Sequence, residues 1–250
     1  MLNMSNAEKA VVDNRHGLMQ EHDPQSQPAN VACYRLFQLI SPSLPIGGFT
    51  YSQGLEWAVE AEWVKDRVSM EQWLENMLNN SVATLELPII DKLYLALRQG
   101  DKDVIKQSCQ LLLASRETKE LRAEERQRGL ALNTLLNRLE VKLEGIELDQ
   151  FPPCQLLGLC VAAVYWQIDL QQLKQGYLWS WAENLVMAGV KLVPLGQTDG
   201  QLALISLSNR FAQAIERSDA IEEWMIGSFT PSVSIASSLH ETQYTRLFRS

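Results

Sequence analysis

Histidine is scarce in this chain. Only His16, His22 and His240 occur in 250 residues. Imidazole is a favoured ligand for transition metals, so a chain this poor in it makes a weak autonomous metal centre. No Ser–His–Asp order with a nucleophile elbow is present, and no Cys–His pair sits in a recognisable motif. Gly47-Gly48 is not followed by Gly-Lys-Ser/Thr, which excludes a phosphate-cradling loop of that type. Thr198-Asp199-Gly200 reads as a turn and helix cap rather than a metal loop. The four cysteines, Cys33, Cys109, Cys154 and Cys160, lack paired zinc spacing. They read as buried structural thiols, with a metal or redox role as the alternative.

Positive charge is also short. The net charge of −8 argues against non-specific nucleic-acid binding, which needs a basic footprint. Long apolar runs are missing. The stretch from Leu156 to Trp166 is about half of the ~20 residues needed to cross a bilayer. Residues 1–30 are polar and lack the apolar core of a signal peptide, so they read as a disordered lead-in and the protein as cytoplasmic.

What is present is a globular composition, 46% hydrophobic and 21% charged, with helical signals throughout. Helices are expected over Cys33–Ile40, stopping at Ser41-Pro42, and after capping boxes at Thr50 with Gln53 and at Ser69 with Gln72. Pro88 suits a first helical turn and Gly100 a helix end. Asp101 should cap a helix through Leu113, and a long helix should cover Thr118–Glu140. Cys154–Trp166 is apolar almost all round and reads as a central buried helix. Asp169 with Gln172 opens another. Val190–Pro194 is a weak strand candidate, and Thr198 or Asp199 should cap a helix to about Arg217. The expected fold is all-α, a single helical domain of roughly eight to ten helices over 31–231, with flexible N- and C-terminal segments.

Three segments carry recognition chemistry. Pro42, Pro45, Gly47 and Gly48 make a stiff loop ahead of Tyr51, Gln53 and Glu56, which are expected to face a partner; the alternative is that Phe49 and Tyr51 fill the core. Along 121–139, Leu121, Glu125, Arg128, Leu132, Leu135 and Leu139 form an apolar seam interrupted by two charges. Glu125 and Arg128, three apart, can pair. The seam faces a second subunit or a neighbouring helix. Glu124 and Glu125 diverge by about 100° around a helix and cannot share one site. The tail 232–250 contains His240, Glu241, Tyr244, Arg246, Phe248 and Arg249, types found at interface hot spots. It either docks on its own domain or orders against a partner, and it is expected to be dispensable for folding.

The segments Ser41–Glu56, Ser115–Gly129, Val190–Gln201 and His240–Ser250 together closely resemble the UreF family of urease accessory proteins, from about residue 33 onward and in the family's order. The resemblance implies an all-α, non-catalytic adaptor. Its implied partners are UreD (also called UreH), the GTPase UreG and, through them, apo-urease, with a homodimer inside the complex and GTP-dependent nickel delivery. No resident cofactor is implied. Nickel could pass transiently, with His240 and Glu241 as candidate ligands or else as a surface hydrogen-bonding pair. Other readings are direct regulation of UreG hydrolysis through Arg246, Arg249 or Glu56, and an enzyme with an unfamiliar site around Glu125 and Arg128.

Overall fold

The computed structural model describes residues 29–250, so the lead-in up to residue 28, with His16 and His22, lies outside the described residues. The fold is all-α, as expected. Helix α1 (Ala29–Ile40) is followed by the Pro/Gly loop and the short α2 (Leu55–Glu60). Next come α3 (Arg67–Met77), a π-helical stretch (Leu78–Glu86), α4 (Leu87–Gln99), α5 (Lys102–Ala114) and α6 (Lys119–Arg138). The chain continues through α7 (Gln155–Tyr165), α8 (Leu170–Leu192), α9 (Gln197–Ser208), α10 (Phe211–Asp219) and α11 (Pro231–His240). Among the described residues no helix is long and apolar enough to cross a membrane.

Most boundaries follow local chemistry. Gly100 ends α4 at φ 72°, and the Asp101 carboxylate accepts the Val104 N–H. Thr118 caps α6 through Leu121 N–H, and Asp169 caps α8 through Gln171 and Gln172. Elsewhere the structure corrects the expected caps. The box at α3 is formed by Asp66 with Ser69, not Ser69 with Gln72, because a carboxylate one turn earlier takes the orphan N–H groups first. Thr50 caps nothing; its hydroxyl donates to Gly47 O at 2.8 Å. Gln53 (φ 52°) and Gly54 (φ 82°) turn the chain through left-handed geometry into α2. Val190–Pro194 is not a strand, since α8 runs on to Leu192. Asp199 sits inside the first turn of α9 and reaches back to Gly196 N–H. The expected run to Arg217 breaks between α9 and α10 at Asn209-Arg210.

The π-helical stretch has an identifiable cause and a consequence. Pro88 has no N–H, and its ring displaces the carbonyl four residues earlier, that of Thr84. The widened turn leaves carbonyls free. Thr84 O accepts Gly227 N–H at 3.0 Å and Asn80 O accepts Phe229 N–H at 2.8 Å. The connector between α10 and α11 is pinned there, which sets where α11 begins.

Central to the core are α4, α7 and α8. Helix α7 is buried on nearly every face and lies against α4 and α6. The α6–α7 crossing is close because both helices carry glycine at the contact. A Cβ on Gly129 would stand 2.6 Å from Cys154 N, and one on Gly158 would stand 2.7 Å from a Leu132 methyl. The apolar seam of α6 is therefore used inside the chain, with Leu121 and Leu132 buried and Leu139 left exposed.

Candidate interaction site

The three recognition segments meet at one place. Helix α6 supplies a row of carboxylates at Glu120 and Glu124, one helical turn apart. The loop before α2 and the chain after α11 close over that row from opposite sides.

Glu56 on α2 is the organising residue. Its Oε1 accepts Leu247 N–H at 2.6 Å, and its Oε2 accepts Phe248 N–H at 2.9 Å. Oε2 also lies 3.1 Å from His240 Nε2. The other ring nitrogen of His240, Nδ1, lies 2.6 Å from Glu120 Oε2. The imidazole is wholly buried between two carboxylates, and both bonds form together when both ring nitrogens carry hydrogen. Arg246 donates to the other oxygen of Glu120 at 2.7 Å. Glu241 accepts Lys119 and Glu120 N–H at 2.7 and 3.2 Å. It caps α6 from a different element and completes the satisfaction of the exposed amides there.

The end of the chain continues the contact. Phe248 is buried with Lys191 5.8 Å above its ring. Arg249 N–H donates to Thr50 O at 2.9 Å, and Ser52 N–H donates to Ser250 O at 2.7 Å. Ser250 Oγ lies 3.1 Å from Glu124 Oε2. Gln53 and Arg128 both donate to Glu124 Oε1, at 3.0 and 2.8 Å. Tyr51 donates to Gln127 at 2.7 Å. Burial, then the nearby Glu124 charge, raises the Tyr51 hydroxyl above its ordinary pKa.

Several sequence expectations change on this geometry. Tyr51 and Glu56 are not exposed; both are buried under the closing tail, while Phe49 is the exposed aromatic of that loop. Glu125 and Arg128 do not pair with each other. Arg128 pairs with Glu124 one turn earlier. Glu125 pairs with Arg116 at 2.9 Å and accepts Gln155 N–H at the start of α7. Arg116 also holds Glu86 at 2.7 Å. Burial alone would depress the Arg116 guanidinium, but Glu86 and Glu125 outweigh it and hold its pKa well above normal. This triad is a satisfied interior network at the junction of the π-helical stretch, α6 and α7. Glu124 and Glu125 do point to separate partners, as their spacing required. Of the two readings of segment 232–250, docking on its own domain is the one seen; expected to be flexible and dispensable for folding, it instead starts inside α11 and contributes Val233, Ala236 and Phe248 to the core.

His240 and Glu241 are adjacent but not convergent, one bridging Glu56 and Glu120 and the other capping α6. Among the described residues no group of three or more His, Cys, Asp or Glu side chains is arranged to hold a metal ion. Reading the sequence alone assigned no site role to Glu120, Glu124, Ser52 or Lys191. The i, i+4, i+8 spacing of Glu120, Glu124 and Arg128 was the signal available for the first two.

Large apolar side chains near the end of the chain face outward. Tyr244 is fully exposed and Leu247 is 66% exposed. Ile235 and Leu239, one turn apart on α11, are exposed as well. Arg246, paired with Glu120, stays 40% exposed and Arg249 is exposed as well, so the closed tail presents apolar and cationic groups on a framework fixed from below.

A family model described as UreF matches residues 64–208. The chain is 50% identical over 227 residues to the urease accessory protein UreF of Alcanivorax borkumensis, covering 88% of this chain and 99% of that protein. It is 46% identical over 229 residues to that of Pseudomonas putida strain W619, covering 89% and 99%. Against that of Escherichia coli O157:H7 it is 44% identical over 216 residues, covering 86% and 96%.

Proposed function

Because the chain belongs to the UreF family of urease accessory proteins, with a role in urease maturation, we propose that it acts as a non-catalytic adaptor in the cytoplasm. In this reading it binds UreD (UreH), recruits the GTPase UreG, and takes part as a homodimer in inserting nickel into apo-urease. Nickel is cargo here, passing transiently, and no resident cofactor is assigned.

The observation that carries the reading is the closed tail. Glu56 takes the Leu247 and Phe248 amides and faces His240, which holds Tyr244, Arg246 and Leu247 outward in a fixed order. A preorganised surface loses less conformational freedom on binding than a free tail would. Exposed aromatic and arginine groups on such a frame are the usual anchors of an interface. Tyr51, Gln53 and Glu124 act beneath that surface, by holding Ser250 and α6 in place. The α6 seam is spent against α7, so the homodimer would draw on another face. A direct effect on UreG hydrolysis fits Arg249 better than Glu56, since Glu56 is buried and occupied by three donors.

The test is co-purification of UreD and UreG with the intact chain and with a Tyr244→Ala, Leu247→Asp double variant. Both positions are exposed, so folding should persist by circular dichroism. Loss of UreD and of urease activation in cells is expected. Normal activation by the variant would remove the tail surface from the proposal.

A further inference from the structure

A second surface lies away from the tail, where the connector between α10 and α11 crosses α4. Within it Trp224 is 78% exposed, Met225 48% and Phe229 79%. Three large apolar side chains so exposed within six consecutive residues are unusual for a soluble surface and mark a contact region. They are not loosely held. The backbone is pinned to the π-helical stretch through Gly227 and Phe229, and Trp224 Nε1 donates to Glu222 at 2.7 Å.

Beside this connector is an open cavity of about 310 Å³. Its charged lining is Asp91 and Lys92 of α4, Asp219 at the end of α10, and Glu223. Beneath it lies Lys174, a fully buried lysine on α8, which donates to Asp91 at 2.9 Å and to Asp219 at 2.6 Å. Lys92 pairs with Glu223. Two cations thus serve three carboxylates, and the cavity keeps an excess of negative charge. The Glu222 carboxylate next to it adds to that excess. Asp219 and Glu223 keep 49% and 81% of their side chains exposed, so their unused lone pairs face the opening.

Apolar anchors beside unneutralised carboxylates define the complement. An anionic lipid surface or a nucleic-acid phosphate would be repelled. A flexible cation alone would leave Trp224 and Phe229 uncovered. An arginine suits both features, because its planar guanidinium forks onto carboxylates and stacks on aromatic faces. We propose that the Trp224–Phe229 connector and the cavity lined by Asp219 and Glu223 form a docking surface for a basic, arginine-bearing segment of a partner protein. This surface is separate from the tail, and its occupant is independent of what Tyr244 and Leu247 meet.

The test uses the ¹⁵N-labelled full chain, following the Trp224 indole N–H, assigned by its loss in Trp224→Phe. The probes are the peptide Ac-Leu-Arg-Ala-Arg-Leu-NH2 and its counterpart with glutamate in place of arginine. A saturable shift with the arginine peptide alone is expected. Replacing Glu222 and Glu223 together by lysine should weaken it about tenfold or more, with unchanged circular dichroism. Equal shifts with both peptides, or none up to millimolar concentration, would overturn the proposal. A shift produced by concentrating the protein alone would also overturn it, by showing that a second copy occupies the surface.

Discussion

Glu56 and His240 stand 184 positions apart in the chain, yet the carboxylate of one meets the ring of the other at 3.1 Å inside the protein. That contact ties α2 to the end of α11 and, through Glu120, to the first turn of α6. Each group has other obligations. Glu56 serves two amides of the tail, and His240 serves a second carboxylate. The arrangement therefore behaves as one unit, and removing one member leaves several buried polar groups without partners.

Glu56→Ala should act as the loss of a hub rather than of one bond. Two backbone N–H groups and a ring nitrogen lose their acceptor. The cost should be about 3 kcal/mol, limited by how easily the tail lifts away. Urea unfolding gives the total, and amide exchange at Leu247 and Phe248 localises it. Unchanged exchange at those two amides would show that the tail is held by its side chains instead.

Where the tail can be cut without loss of the fold is now defined by burial. Truncation after Pro231 removes Val233, Ala236 and Phe248 from the core and exposes the α2 face around Gly54, whose Cβ position lies 2.9 Å from Ser237 N. That chain should be markedly destabilised. Truncation after Gln243 keeps α11, His240 and Glu241, and should fold with a lowered midpoint. Thermal unfolding of the two chains distinguishes them; equal stability would contradict the assigned role of α11.

Gly129→Ala is expected to destabilise despite alanine's better helix propensity, worth about 1 kcal/mol. Its Cβ would meet the Cys154 backbone at 2.6 to 2.8 Å, and backbone cannot rotate aside as a side chain can. Overpacking of this kind costs about 1–3 kcal/mol, so the net effect should be a loss of up to about 2 kcal/mol. A rise in the unfolding midpoint would mean that α6 and α7 can separate freely.

Thiol reactivity should divide one against three. Cys33 is partly exposed, and Cys109, Cys154 and Cys160 are buried. The contact with Cys109 and burial push the Cys154 thiol well above its ordinary pKa, and burial does the same to Cys160. Thiolate is the reactive form. In the native protein a disulfide reagent should therefore titrate Cys33 alone, and all four only after denaturation. Rapid reaction of a second thiol in native buffer would contradict this burial.

Much of the fold was legible locally. Gly100, Asp101, Thr118 and Asp169 mark helix ends by chemistry that acts within four residues, and the apolar run of α7 marks a central helix by itself. The divergence of Glu124 and Glu125 also follows from helix geometry alone. What could not be read locally was competition between neighbours. Asp66 and Ser69 both offered a cap for α3, and position relative to the first free N–H decided between them. The π-helical stretch begins well before its cause at Pro88.

The candidate site divides in the same way. Composition and spacing identified the residue types of the tail, the Pro/Gly loop and the carboxylate-rich helix, because those depend only on which side chains are present. Only the tertiary structure decided that Tyr51 and Glu56 lie inward, that Arg128 pairs with Glu124 while Glu125 pairs with Arg116, and that Tyr244 and Leu247 lie outward. A carboxylate's partner is set by whatever donor the fold brings within about 3 Å. For Glu56 those donors come from the far end of the chain, beyond the reach of any local pattern.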